Sequence, residues 1–586
     1  MPSGEILQEA ARLELGGDLL AAYDAIAAGL IDDPSSIALR HRAVLLLARC
    51  GAAGQAQREY VRLGLGDARD HVETISLGGR LLKDLAFAAT GEARRQYARE
   101  AAAKYAEAYA LGRDYYPGIN VAAMALVAGD RPRAAEMARA VLEGLSVGAD
   151  TRAEDAYYRA EALFLLGRLD DAETALAAAM ALDPLNHTAH ASTLRQFDIL
   201  SATLKLDRAW LERHSPPPPV VYSGHMFDPA ALSPEALQKV TTGITTALER
   251  LKPCAIFGAL AAGADILIAE AALARGAELH VVLPMSEKTF LARSVMQSGA
   301  DWAARYHACK DRAATFRVAS QEEDFSDDAI FAFGAEFAMG LAIRHGEGLR
   351  SRACQLAVWD GNPGTGVAGT GADVRRWRET GLPQVIVEFL RRTPAAHTAA
   401  AAPAAARRLK AMLFGDVRGF SKLAETDIKP FVEHLMAPIA AALYGLAATP
   451  DLVATWGDGI HIVCDSVAHA ADGALAMQAA FARIDFAAAG LPPHLALRLG
   501  GHFGPVAEII DPFVNKPSYY GTHVTIAARI EPVAVPGTVY VSEPFAALLA
   551  LQAPGRFRTE YVGQTALPKN FGTMRLFSLR TAEVLD

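Results

Sequence analysis

Four consecutive prolines, Pro216–Pro219, constrain the fold of this 586-residue chain more than any other feature of its sequence. Proline cannot continue a helix, and a run of prolines forms a stiff, extended spacer. The residues before the run are rich in alanine and leucine with a helical period, whereas strand and helix patterns alternate after it. The prolines therefore predict a boundary between an all-helical part, residues 1–212, and an α/β part that begins near residue 219.

The helical part contains internal repeats. Two segments, which end at Pro34 and Pro184, share a Leu-Gly turn, a helix of small residues and a closing Asp-Pro. Neighbouring turn glycines fall about 35–38 residues apart, which resembles the tetratricopeptide period. Small residues let paired helices approach closely, and the stack buries a face that no single repeat could bury. The turn glycines are Gly16, Gly51, Gly129 and Gly167.

Two segments inside this array, HVETISLGGRLLKDLAF and DYYPGINVAAMALVAGD, carry a second resemblance. From about Val72 to Asp130 they are similar to the TRAF-binding helical region of the apoptosis-signalling MAP kinase kinase kinases. The resemblance implies a helical scaffold that docks a protein partner or regulates a neighbouring domain. A structural stalk without any ligand is the alternative.

Residues 219–390 are expected to form a parallel sheet with helices on both faces. SGH follows the first strand, GALAAGAD follows the second, VVLP lies on the third, and WDG and GTG come late. These motifs resemble the Rossmann-like SLOG family of sensors for nucleotide-related ligands. Such folds bind ligands beyond the carboxyl ends of their strands, where a helix start can hold a phosphate. The alternative is that the glycines only make tight turns. The candidate ligand residues are Ser223, Gly224, His225, Gly258, Ala259, Gly263, Asp265, Asp360, Gly361, Gly369 and Thr370.

A low-complexity Ala/Pro segment, residues 391–408, is interpreted as a linker. After it, residues 409–580 change to short strands and helices in a β-α-β-β-α-β order, which is typical of a ferredoxin-like α+β core. An Asp-Gly turn in WGDG joins two apolar runs and predicts a hairpin. Asp416 and Asp458 end or join strands that are adjacent in such a core, so both could face one point. Carboxylates are suitable ligands for Mg²⁺, and a pair of metal ions can activate an attacking oxygen and steady a leaving group.

Four motifs in this segment, FGDVRGF, WGDG, GGHFGPV and YGTHVTIAARIE, occur in an order that closely resembles the class III adenylyl and guanylyl cyclase domain. The resemblance covers about 170 residues and implies two divalent metal ions, Mg²⁺ or Mn²⁺, bound by Asp416 and Asp458. It assigns Arg529 to the charge that develops at the α-phosphate and Lys569 to the outer phosphates. The chain after the first aspartate would lie against the triphosphate through Val417, Gly419 and Phe420.

The resemblance also implies the reaction and the assembly. The ribose 3′-oxygen of a nucleoside triphosphate attacks the α-phosphorus, a 3′,5′-cyclic nucleotide forms and pyrophosphate leaves. In this family the aspartates come from one chain and the arginine and lysine from the other. One chain that carries all of them implies a homodimer with two equivalent sites.

Three positions depart from the family pattern. Ala454 stands where many adenylyl cyclases have the lysine that reads adenine, and Ser518 stands where its aspartate partner is expected. Thr525 replaces the asparagine that usually orients the ribose. ATP is the default substrate, and GTP and pyrimidine triphosphates stay open. The alternative function is a degenerate cyclase fold that binds nucleotide as a dimerisation or regulatory module.

The composition bounds the remaining classes. A formal net charge of −9 argues against a general nucleic-acid binder, which usually has a basic face. The five cysteines are scattered, which argues against a disulfide framework. The sequence contains no charge-free run of about 18 apolar residues, so we expect no transmembrane helix. We expect a multidomain cytoplasmic signalling protein in which a nucleotide-like ligand of the middle domain regulates the cyclase domain.

Overall fold

The computed structural model describes residues 2–15, 17–68, 70–145, 152–226, 233–322, 328–364, 366–389 and 407–582. The chain forms two compact units. The first comprises Met1–Pro217 with Glu347–Ser351, and the second comprises Pro218–Gly346 with Arg352–Ala582. None of the helices in the described residues has the length and apolar character that crossing a membrane requires.

The first unit is helical. Consecutive helices from α1 to α10 pack against each other, and α11 packs on α7 and α9. The helices are α1 (Ser3–Leu15), α2 (Leu19–Asp32), α3 (Ile37–Arg49), α4 (Ala53–Arg62), α5 (Val72–Ala88), α6 (Gly91–Gly112), α7 (Tyr115–Ala128), α8 (Arg131–Gly144), α9 (Ala153–Leu165), α10 (Leu169–Leu182) and α11 (His187–Leu204).

Turn glycines and small residues explain why these helices stack. Gly51, Gly129 and Gly167 have φ values of 77°, 96° and 78°, which side chains other than glycine rarely adopt. Gly16 lies outside the described residues. A Cβ on Gly79 would lie 3.0 Å from the ring of Tyr105, so the glycine permits the close approach of α5 and α6.

A six-stranded parallel sheet begins the second unit, in the order β4-β3-β2-β1-β5-β6. Strands β2, β3 and β5 are largely buried, as expected for a sheet that helices cover. The strand order reverses between β1 and β5, which makes a topological switch point. The strands are β1 (Val220–Gly224), β2 (Ala255–Gly258), β3 (Glu278–Leu283), β4 (Thr315–Val318), β5 (Cys354–Trp359) and β6 (Gln384–Glu388); the helices are α12 (Pro234–Leu251), α13 (Ala264–Leu273), α14 (Glu287–Ser294), α15 (Ala300–Lys310), α16 (Ala329–Leu349) and α17 (Thr370–Glu379).

A mixed sheet follows, in the order β13-β14-β12-β10-β7-β9-β8, with β11 paired to β10. The sequence β7, α19, β8, β9, α20, β10 is the expected β-α-β-β-α-β order, and β7 begins two residues before the predicted start of this segment. The strands are β7 (Arg407–Arg418), β8 (Leu452–Trp456), β9 (Gly459–Cys464), β10 (Ala496–Asp511), β11 (Lys516–Tyr520), β12 (Val539–Ser542), β13 (Phe557–Ala566) and β14 (Thr573–Thr581); the helices are α18 (Ile428–Pro430), a π-helical turn at Phe431–Met436, α19 (Ala437–Tyr444), α20 (Val467–Ala482), α21 (Thr522–Ile530) and α22 (Glu543–Gln552).

Within the second unit, helix α16 packs directly on the mixed sheet. Phe333 is fully buried, and its ring lies edge-on to His523 at 5.3 Å between centroids. A Cβ on Gly340 would overlap the backbone of Ala547, so α16 and α22 touch at a glycine. The two sheets are therefore joined by a close-packed contact.

Candidate functional site

Two carboxyls converge where β7, β8 and β9 meet. Asp416 lies near the end of β7, and Asp458 lies in the turn between β8 and β9, the strand that pairs with β7. A hydrogen bond joins the two carboxyls. Burial, together with this bond and the charge of Asp416, raises the pKa of Asp458 to about 6. The structure therefore brings together the two aspartates that the sequence singled out.

Arg498 and Glu531 complete an acidic cluster that the sequence analysis missed. Arg498 on β10 lies opposite Asp416 in the β7–β10 pairing and contacts its Oδ2 atom at 2.6 Å. The Nε atom of Arg498 also lies 3.0 Å from the Oε1 atom of Glu531, just after α21. Burial raises the pKa of Glu531 to about 7, although Arg498 acts against the rise. One guanidinium thus pairs with two neighbouring carboxyls, those of Asp416 and Glu531.

A glycine allows Glu531 to reach this cluster. A Cβ on Gly500 would overlap the backbone of Glu531, so the end of α21 lies directly on β10. The position of Glu531 therefore depends on packing, whereas that of Arg498 depends on strand register. If the pairing of β7 with β10 had been known, the position of Arg498 directly opposite Asp416 would have identified it.

The donor set of the cluster fits a hard divalent cation. Among the described residues, no group of three or more His, Cys, Asp or Glu side chains has the arrangement of a metal site. Asp416 and Asp458 alone offer two carboxylates. This number suits Mg²⁺, because a bound Mg²⁺ usually takes its remaining ligands from phosphates and water. A cation at this point would also relieve the repulsion between these two half-buried carboxylates.

The turn after Asp416 is tightly held. Val417 is buried, and Gly419 has a φ of 97°. A Cβ on Gly419 would lie 2.9 Å from the His494 ring, and the Phe420 ring packs on Phe431 with centroids 4.8 Å apart. The predicted phosphate-facing residues thus form a constrained turn beside the aspartates.

Arg529 and Thr525 lie on α21. Ala527 and Ile530 on the same helix are buried, and Arg529 and Thr525 are half-buried. The Nε atom of Arg529 is buried and has no hydrogen-bond partner among the described residues. Lys569 is exposed in the turn between β13 and β14, with a φ of 61°. In the described part of the chain, no hydrogen bond or ion pair joins either cation to the aspartates.

The two base-recognition positions lie on strands that are not neighbours in the sheet. Ala454 on β8 is paired with His461 on β9. Ser518 on β11 is paired with Ile509 on β10. Strands β9, β7 and β10 separate β8 from β11. The structure therefore does not bring Ala454 and Ser518 into direct contact along the sheet.

The candidate residues of the parallel sheet gather at the switch point. Ser223 and Gly224 end β1, and a Cβ on Gly224 would overlap Ala264 at the start of α13. The Nε2 atom of His225 lies 3.2 Å from an Asp360 carboxylate oxygen just after β5. These residues therefore lie at the carboxyl ends of β1 and β5, and their role as ligand contacts stays a prediction.

The other candidates in this group shape the turns around that point. The Ala259 carbonyl accepts a hydrogen bond from the Tyr222 hydroxyl at 2.7 Å. Thr370 is the buried first residue of α17. A Cβ on Gly258 would lie 2.7 Å from the Tyr222 ring. The glycines with positive φ are Gly263 (106°), Gly361 (81°) and Gly369 (95°).

Two buried carboxyls distinguish this place from an ordinary set of turns. Asp265 is 8% exposed and Asp373, which the sequence analysis missed, is 7% exposed. The Oδ1 atom of each has no hydrogen-bond partner among the described residues, while the Oδ2 atom of Asp265 accepts from the Ala261 N–H at 3.3 Å. Burial raises the pKa of Asp265 to about 8 and that of Asp373 to about 7.

Known protein families match both ends of the chain. Residues 18–125 match the family described as Tetratricopeptide Repeats-Sensor, and residues 407–581 match the Adenylate and Guanylate cyclase catalytic domain. The chain thus carries a tetratricopeptide-like region and a cyclase catalytic domain, which confirms these two predictions. The resemblances to the TRAF-binding region and to the SLOG family stay predictions.

Individual relatives match over the cyclase part. A curated protein of Rhizobium meliloti (strain 1021), named "Putative adenylate cyclase 3", is 34% identical over 141 residues, which are 23% of this chain and 22% of that protein. The chain therefore spans about a fifth of the length of this relative. The guanylate cyclase domain of RhGC from Catenaria anguillulae, solved in complex with GTP, is 19% identical with a TM-score of 0.26 and covers 30% of this chain and 98% of its own. The adenylyl cyclase CyaB from P. aeruginosa is 20% identical with a TM-score of 0.26 and covers 30% of this chain and 94% of its own.

Proposed function

We propose that this protein is a nucleotidyl cyclase that converts a nucleoside triphosphate into a 3′,5′-cyclic nucleotide and pyrophosphate. The observation that carries the proposal is the convergence of Asp416 and Asp458 within the region that matches the cyclase catalytic domain. ATP is the default substrate. A nucleotide-binding module without catalysis has less need of two carboxyls held against their mutual repulsion.

The residues of this chain divide the work of the reaction. Asp416 and Asp458 would hold two divalent metal ions, which would supply activation of the ribose 3′-oxygen and positive charge for the pyrophosphate. The turn from Val417 to Phe420 lies against the triphosphate. Arg529 stabilises the charge at the α-phosphate through a fork of donors that is always charged.

Lys569 and Thr525 have positioning roles in this proposal. Lys569 binds the outer phosphates, and its exposed place in a turn suits a ligand that arrives from solvent. Thr525 orients the ribose with a single hydroxyl, in place of the amide that the family usually has. We expect this shorter side chain to lower the rate without abolishing it.

We further propose that the active form is a homodimer. Among the described residues, the buried Nε atom of Arg529 has no partner, and neither Arg529 nor Lys569 pairs with Asp416 or Asp458. A second copy that presents these cations to Asp416 and Asp458 would satisfy both observations. Two-fold symmetry would then create two equivalent sites.

The same proposal includes regulation of the cyclase activity by the domain of the parallel sheet. A nucleotide-like ligand binds at the switch point of that sheet, and a protein partner binds the helical repeats. Phe333 of α16 contacts His523, which lies two residues before Thr525 on α21. The Nδ1 atom of His523 lies 2.8 Å from the Nε2 atom of His502. A shift of α16 would therefore act first on the helix that carries Arg529.

The activity is tested by incubating the purified protein with Mn²⁺ or Mg²⁺ and each of ATP, GTP, CTP and UTP. Mass spectrometry identifies the product, and Asp416→Ala is the control. We expect a cyclic nucleotide from at least one triphosphate and its loss in the variant. If no triphosphate gives a cyclic product, even with Mn²⁺ and high protein concentration, the degenerate alternative replaces this proposal.

The regulatory contact is tested with two glycines of the same helix. Gly340→Ala places a Cβ against the backbone of Ala547, whereas Gly348→Ala meets nothing within 4 Å. We expect Gly340→Ala to change the rate of product formation and Gly348→Ala to leave it at the wild-type value. Equal rates in all three proteins would show that the contact between α16 and the mixed sheet does not control the reaction.

A further inference from the structure

His461 occupies a special place next to a base-recognition position. It is the cross-strand partner of Ala454 on β8 and of Phe414 on β7. Directly opposed residues present their side chains on the same face of a sheet, a few ångströms apart. Asp416 lies two residues after Phe414 and therefore belongs to the same face. Ala454, His461, Phe414 and Asp416 thus share the face of the acidic cluster.

The imidazole of His461 is rigidly held but incompletely bonded. Its ring stacks on Phe414 with centroids 4.3 Å apart and an angle of 15° between the planes. The residue is 7% exposed, and its Nε2 atom is buried without a hydrogen-bond partner among the described residues. A buried polar atom without a partner is unfavourable, so a partner is expected from a bound ligand.

His461 is uncharged at neutral pH, which suits contact with the uncharged edge of a nucleobase. Burial lowers its pKa to about 4, so the ring is neutral at pH 7. A neutral imidazole donates from one nitrogen and accepts at the other. With its tautomer fixed, the free Nε2 atom can therefore distinguish an amino group from a carbonyl oxygen, which is the difference between adenine and guanine and between cytosine and uracil.

We propose that His461 contacts the base of the nucleoside triphosphate and sets base selectivity, in place of the lysine that the cyclase resemblance expects at Ala454. The proposal rests on the proposed cyclase function. The small side chain of Ala454 leaves the space that a lysine would fill, and the imidazole on the next strand borders it. The residue that recognises the base thus lies on β9 in this protein, one strand away from the expected position on β8.

The variant His461→Phe tests this assignment. Phenylalanine keeps an aromatic ring to stack on Phe414 and removes both nitrogens. We expect kcat/KM for the preferred triphosphate to fall at least about tenfold, because a buried hydrogen bond to the substrate is lost. The ratio of kcat/KM between the preferred and the next-best triphosphate should fall by a similar factor. The exposed His469→Phe is the matched control and should keep the wild-type ratios.

A binding measurement separates this inference from the proposed function. Dissociation constants of the four triphosphates are measured with Ca²⁺, for wild type and for His461→Phe, with thermal unfolding as the check on folding. If the wild type binds one triphosphate selectively but forms no cyclic product, the proposed function fails and the constants still test His461. Unchanged selectivity in His461→Phe, in both catalysis and binding, would overturn the inference. If His461→Phe does not fold, His461→Asn is measured in the same way.

Discussion

Two pairs of carboxyls in the second unit, the half-buried Asp416 and Asp458 and the buried Asp265 and Asp373, differ in how their charge is balanced. In the first pair, the Asp416 carboxylate contacts the Arg498 guanidinium at 2.6 Å. Asp265 and Asp373 each keep an oxygen without a partner in the described part of the chain. In the first pair, an arginine therefore balances the charge of one carboxylate. In the second pair, the Oδ1 atoms of Asp265 and Asp373 have neither a cation nor a hydrogen-bond donor in contact among the described residues.

Arginines also lie near Asp373, so the lack of a partner at its Oδ1 atom does not result from an absence of nearby cations. Burial, together with the charge of Glu336, raises the pKa of Asp373 and outweighs the lowering by Arg376 and Arg375. Arg376 is engaged by Glu336 at 3.0 Å. Asp265 faces the same place, and the charge of Asp373 adds to the rise of its pKa. The two pairs thus differ in their surroundings: Asp416 lies against a guanidinium, whereas Asp265 and Asp373 keep acceptors that hydrogen-bond donors could fill.

The largest expected effect separates the two pairs by activity. Asp458→Asn removes one proposed metal ligand, and we expect the rate of cyclic-nucleotide formation to fall by more than about 100-fold, the size typical for the loss of a group that stabilises a transition state. The same change relieves the repulsion from Asp416, so the melting temperature should not fall. The exposed Asp311→Asn should leave both quantities unchanged. A fully active Asp458→Asn enzyme would remove the functional distinction between the pairs.

The next effect concerns the cation that balances the first pair. Arg498→Met leaves Asp416 and Glu531 without their guanidinium, and we expect a loss of about 2 kcal/mol in the free energy of unfolding in metal-free buffer. Mn²⁺ should recover part of that loss, because a bound cation replaces the missing charge and stabilises the folded state. Urea unfolding of wild type and variant, with and without Mn²⁺, measures this. An equal gain from Mn²⁺ in both proteins would contradict the idea that Arg498 and metal compensate the same carboxyls.

The sequence predicted those parts of the site that depend on local pattern. Asp416 and Asp458 were identified because each lies in a short motif at a strand end, and the Asp-Gly turn brings the second strand back to the first. The parallel sheet followed from the alternation of strand and helix patterns. These features are encoded within a few residues of where they act.

The residues that the sequence did not reveal depend on long-range packing. Arg498 acts on Asp416 because β10 pairs with β7 in one register. Glu531 reaches the cluster because Gly500 lets α21 lie on the sheet. Asp373 is in the first turns of a helix, where an aspartate is commonly a solvated residue that favours the helix N-terminus. Its burial at the switch point requires the chain to be folded.

The smallest expected effect tests the second pair through its stability. The pKa of Asp373 in the folded protein, about 7, lies above the value of about 3.9 for an unfolded chain. The contribution of this carboxyl to stability is therefore full below pH 4 and is lost as the pH rises through 7. Asp373→Asn carries no charge, so we expect its free energy of unfolding to lie close to that of wild type at pH 4 and to exceed it by at least about 1 kcal/mol at pH 8. Urea unfolding at both pH values measures the difference, with Asp311→Asn as the control. A variant less stable than wild type at pH 8 would mean that the Asp373 carboxylate is already satisfied within the protein, and the contrast with Asp416 and Asp458 would disappear.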